Sequence, residues 1–175
     1  MLLFGGASRA PPRPGFQARW EAWPQEISSA VAQPVLNLPL IESLRSLSPL
    51  ADQAWEVDAF WLPAQILDRD RPYFLRMAVV CLESSGLIIG TEPSLPEKSS
   101  FQMLVDVICS SAKGNTTLPG TVFVKGPEEV AALAPLAKTL GFSVRRRKHL
   151  RGIRIFKKAA LAQMASGGRR RPGRR

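Results

Sequence analysis

Hydrophobic and polar positions alternate from Trp55 to Trp61, with Trp55, Val57, Ala59 and Trp61 on one side and Glu56, Asp58 and Phe60 on the other. That period of two predicts a strand with one covered face. After the polar turn Asp68–Pro72, the nearly continuous apolar run Tyr73–Leu82 suits a strand buried on both faces. Glu83-Ser-Ser-Gly86 then turns the chain into Leu87–Glu92, so the two runs read as a hairpin whose return strand is stopped by Pro93 and Pro96.

The period changes to three and four at Met103, Leu104, Val107 and Ile108, which predicts a helix capped by Ser99 or Ser100 and ending near Lys113-Gly114. Thr121–Val124 is a short buried strand. Gly126-Pro127-Glu-Glu129 has the proline and the carboxylates that suit a helix start, and Gly141 ends that helix, with Pro135 as a kink or split within it. Phe142-Ser-Val144 begins a last strand, and a closing helix runs through Met164. The order β-β-β-α-β-α-β predicts an α/β fold with a mixed sheet of about five strands flanked by helices.

The ends differ from this middle. Residues 1–54 are rich in proline and predict an irregular arm, with one short amphipathic helix within Leu38–Leu50 and Trp20 and Trp23 as anchors onto the body. Residues 55–165 form the expected domain. Residues 166–175, with Arg169-Arg-Arg and Arg174-Arg175 and nothing apolar to bury, predict a disordered basic tail. No window approaches the roughly 18 apolar residues of a membrane span, and the short apolar start lacks a basic lead, so a cytoplasmic protein without a membrane partner is expected.

Charge sharpens the division. From Arg145 onward there are thirteen Lys and Arg and no acid, against eleven bases and fourteen acids in residues 1–144. The net charge of +10 therefore belongs to one end. Arg145, Arg146, Arg147, Lys148, Arg151, Arg154, Lys157 and Lys158 alternate with Val144, Leu150, Ile153, Ile155 and Phe156, which places them on a fixed cationic face suited to the phosphates of DNA or RNA.

Trp55-Glu-Val-Asp58, the small-residue hairpin Val80–Gly90 and Thr121–Gly126 together resemble the ribonuclease-H-like core of retroviral integrases and Asp-Asp-Glu transposases. The resemblance spans residues 55–147. Trp55-x-x-Asp58 with Arg71-Pro72 and Ser85-Gly86 is also similar to an uncharacterised bacterial domain family with no assigned activity. The integrase likeness implies a metal-binding Asp at Asp58 and a second at the end of the fourth strand. That second position is Lys125, and no acid follows Val144. Two-metal phosphoryl transfer needs several converging carboxylates, so the expectation is a non-catalytic relic with no cofactor. The alternative, a Mg- or Mn-dependent nuclease or transposase, would need Asp58 with Glu83 or Glu128, or with Glu92 or Glu129. A protein-interaction scaffold working through the arm, with an unknown partner, is a third reading.

Other chemistry finds little support. His149 is the sole histidine and lies among cations, a setting for a solvated residue rather than a general base. Cys81 and Cys109 form no metal-binding or redox spacing and are expected as buried thiols in a reducing compartment.

Overall fold

The computed structural model describes residues 34–68, 71–94 and 98–167. The expected anchors Trp20 and Trp23, most of the arm and the tail from residue 168 lie outside them. The elements run α1 (Leu38–Leu44), β1 (Pro49–Asp68), β2 (Arg71–Leu82), β3 (Ile88–Ser94), α2 (Ser100–Asn115), β4 (Leu118–Val124), α3 (Pro127–Leu140), β5 (Ser143–Arg146) and α4 (Arg151–Gly167). From β1 to β5 this is the β-β-β-α-β-α-β order that the ribonuclease-H-like resemblance implies.

The five strands form one mixed sheet in the order β3-β2-β1-β4-β5. β1 is central: Trp55 faces Leu82 in antiparallel β2 and Val122 in parallel β4. Side-chain alternation therefore sends Trp55, Val57, Ala78, Val80, Val122 and Val124 to one face, where they join Met103, Leu104, Ile108, Leu133 and Leu136 of α2 and α3 and Ile41 and Leu44 of α1. The opposite face carries Val79 and Cys81, which pack with Leu150 and Ile153 at the start of α4. The result is a sheet between two helical layers, with α4 alone on the second.

The helix boundaries follow the capping chemistry. Ser99 is the α2 N-cap and accepts from the Gln102 N–H at 3.1 Å, while Thr116 ends the helix in the left-handed conformation at φ 51°. α3 starts at Pro127, Glu129 reaches back to the Gly126 N–H, and Gly141 ends it at φ 80°. Pro135 lies within α3 without splitting it.

Three strands are longer than their patterns indicate. β1 extends back to Pro49, β4 back to Leu118, and β3 passes Pro93 to Ser94. Pro93 does not stop β3 because that strand is at the sheet edge, where a missing N–H costs no ladder bond on the open side. The alternation at Trp55 also predicts a single covered face, and here the structure corrects it. Glu56 and Asp58, on the side opposite Trp55, are buried at 1% and 4% exposure. Alternation reports which residues share a face, and α4 covers the polar one.

Candidate nucleic-acid interface

The site grows from the two acids of β1 and the helix laid over them. No Ser, Thr, Asp or Asn precedes α4 to cap it; the approach is Lys148-His-Leu150. Its first N–H groups must find an acceptor elsewhere. Glu56 supplies it: one carboxylate oxygen accepts from Arg151 N at 2.9 Å, and the other from Gly152 N at 2.7 Å and Ile153 N at 3.3 Å. A buried anion at the positive end of a helix is electrostatically well placed.

This contact requires close approach. A Cβ built on Gly152 would lie 3.1 Å from the Gly86 Cα, 3.2 Å from the Cys81 Cβ and 3.2 Å from a Glu56 carboxylate oxygen. Gly86, at φ 70°, turns the β2–β3 hairpin in the left-handed region. The Ser-Ser-Gly hairpin and the Arg-Gly start of α4 thus meet glycine to glycine, which lets the helix terminus reach Glu56.

Two residues along β1, Asp58 meets two ammonium groups. Lys125 Nζ, just past the end of β4, and Lys157 Nζ, two turns into α4, each lie 2.7 Å from the same oxygen, Oδ2. Burial alone would lower the Lys125 pKa, but the hydrogen bond to Asp58 and its charge, with a further contribution from Glu129, hold it above the ordinary lysine value. Burial of Lys157, reinforced by the neighbouring Lys125 charge, outweighs the same carboxylate and holds its pKa below the ordinary value. One carboxylate shared by two cations leaves a positive surplus.

That surplus opens into a recess of about 140 Å³. Its walls are Lys125, Lys148, His149, Arg154 and Lys157, with Leu150 and Ile153 beneath. Four basic side chains thus line a recess where Asp58 is the carboxylate in direct contact, with Glu129 acting on Lys125 from further off. Lys148 and Arg154 are exposed, and no carboxylate lies within 4 Å of either among the described residues. A pocket of this composition attracts anions.

The remaining residues of the expected basic face divide into two groups. Arg145, Arg151 and Lys158 are exposed, and Arg146 is exposed with its Nε donating to the Lys125 carbonyl at 3.2 Å. Arg147 turns inward: it pairs with Glu83 at 2.7 Å, approaches Glu56 at 3.8 Å and lies 3.5 Å above the Phe123 ring. Lys157 is held by Asp58 and also sits 4.0 Å over the Phe60 ring. His149 is exposed at the rim of the recess.

The acids named for the nuclease alternative are dispersed. Glu83 is taken by Arg147, Glu92 pairs with Lys98, Glu128 is exposed in the first turn of α3, and Glu129 caps that helix. Among the described residues no three His, Cys, Asp or Glu side chains gather where an ion could sit. The divalent ions of the ribonuclease-H-like resemblance do not fit here, because the space beside the Asp58 oxygen is held by two ammonium groups. The role of Glu56 was not legible from the Trp-x-x-Asp pattern; the signal that could have found it is a closing helix with no local capping residue.

The two thiols are inert. Burial and then the charge of Glu56 push the Cys81 thiol up to about 12, and burial and then Asp106 do the same to Cys109. Among the described residues no helix is long and apolar enough to cross a membrane.

Two solved structures are similar to the chain at a low level. The Mos1 transposase paired-end complex with the left transposon end is 15% identical, with 89% of this chain and 53% of that chain covered and a TM-score of 0.39. Endonuclease V from Bacillus subtilis is 18% identical, with 63% of this chain and 57% of that chain covered and a TM-score of 0.31. The chain thus spans little more than half the length of either. No curated protein matches it in sequence. A family model described as a domain of unknown function, DUF6930, matches residues 40–160, from α1 to the middle of α4. That span takes in the whole sheet and every residue around Asp58, and the chain belongs to the DUF6930 family.

Proposed function

We propose that this is a non-catalytic ribonuclease-H-like domain that holds DNA or RNA by its phosphates, without sequence preference. The observation that carries the reading is the double engagement of Asp58 by Lys125 and Lys157 at 2.7 Å, beside a recess walled by cations. At the position where the resemblance implies a metal ligand, the charge that would meet a phosphate comes from ammonium groups belonging to the chain itself. Such groups can attract a phosphodiester; they offer no activated water.

Lys148, Arg151 and Arg154 are the contacts free to meet phosphate, with Arg145, Arg146 and Lys158 extending the face. Arg147 and Lys157 shape the site from within. The five arginines after Gly168 add a second cationic segment, and residues 1–33 have no assigned role. Among the described residues no base-reading element accompanies these charges, so backbone contacts dominate.

Fluorescence anisotropy with labelled duplex and single-stranded DNA and RNA tests the reading. Binding at about 50 mM salt that weakens by several decades toward physiological salt is the expected result. Absence of binding at the lower salt, or Mg²⁺-dependent cleavage, overturns it.

A further inference from the structure

We infer that the cationic recess selects the terminal phosphate of a nucleic-acid strand over its internal phosphodiesters, an inference that rests on the proposed phosphate binding. The cations of the recess come from three places, Lys125 after β4, Lys148 before α4, and Arg154 and Lys157 on successive turns of α4, and they surround a volume of about 140 Å³ closed beneath by Leu150 and Ile153. A phosphate inside it lies among ammonium and guanidinium groups contributed by separate elements. An internal phosphodiester would have to carry a sugar on both sides of so small a space, whereas a terminal phosphate carries one.

Charge favours the same choice. A phosphodiester bears one negative charge, and a phosphate monoester bears about 1.5 to 2 near pH 7. The recess has a surplus of positive charge, because Asp58 is shared between two lysines, and a doubly charged guest compensates more of it. A second recess of about 120 Å³ has Lys157 in its wall as the first does. Phe60, Leu62 and Leu161 make it apolar, with Leu161 48% exposed. The nucleoside attached to a captured phosphate therefore has an apolar surface beside it, which a bare inorganic phosphate would not use.

The test compares the affinities of one single-stranded oligonucleotide made with a 5′-phosphate, with a 3′-phosphate and with hydroxyl groups at both ends. At least one phosphorylated form is expected to bind about tenfold more tightly than the hydroxyl form, and which form does so identifies the end recognised. Lys148→Ala and Arg154→Ala should each erase most of that difference, and both residues are exposed, so thermal melting should be unchanged. Leu161→Ala should weaken the phosphorylated oligonucleotide while leaving competition by inorganic phosphate alone unchanged. Equal affinity for all three oligonucleotides overturns the inference and leaves general phosphate binding standing. Failure of every oligonucleotide to bind removes both.

Discussion

Asp58 stands where the integrase resemblance implies a metal-binding residue, and its surroundings are those of a counterion. Its carboxylate is almost fully buried, and both of its contacts are ammonium groups. Asp58→Ala leaves two adjacent cations with nothing between them, and their partial exposure moderates the penalty. The variant should lose about 2 kcal/mol of stability in chloride and recover part of it in phosphate, as measured by denaturant unfolding. Lys157 supplies a pH signature. Its pKa in the folded protein is below the unfolded value of 10.5, so the folded state binds fewer protons between those two values and stability rises with pH across that window. Anion binding favours protonated Lys157 and has the opposite dependence: polyphosphate affinity should fall as pH rises through the lowered pKa. In Lys157→Gln that fall should move up to the ordinary lysine range, as read by calorimetric titration. The thiols at about 12 predict a further result. Iodoacetamide at pH 8 should leave Cys81 and Cys109 unmodified in the folded protein and alkylate both in denaturant.

Among the elements, β1 and α4 determine the site, and their docking depends on Gly152. Gly152→Ala forces a methyl group against Gly86, Cys81 and Glu56. It should destabilise the fold by about 1–3 kcal/mol, whereas alanine at Gly114, whose surroundings are open, should raise stability slightly. Thermal melting of the two variants side by side checks this. Much of the architecture was legible at this scale. The Trp55–Trp61 alternation, the apolar Tyr73–Leu82 run, Ser99 and Gly141 all mark elements that form where local chemistry places them, since strand pleat and helix capping are local properties. The candidate site was only half legible. Lys125 in place of an acid was visible in the sequence, but the covering of Glu56 and Asp58 by α4 was not, because it depends on partners about a hundred residues away. For the same reason the sequence pattern groups Arg147 and Lys157 with the basic face, whereas each is held inward by an acid.

At the scale of the whole molecule, the acid-free stretch from Arg145 is not uniformly available. The described part divides into residues that neutralise Glu83 and Asp58 and residues that face solvent, and the second group should govern the salt response. Lys148→Ala with Arg154→Ala should reduce the slope of log affinity against log salt by about 2 on duplex DNA, while Arg147→Ala should act mainly on stability. The account as a whole rests on Asp58 compensating the cations around it rather than holding a metal ion. The most direct measurement is the affinity of wild type and Asp58→Asn for one oligonucleotide, with and without Mg²⁺. Removing the charge should tighten binding about three- to tenfold at low salt, with Mg²⁺ only screening both proteins alike. Weaker binding by Asp58→Asn, or Mg²⁺-dependent cleavage that this variant abolishes, would contradict it.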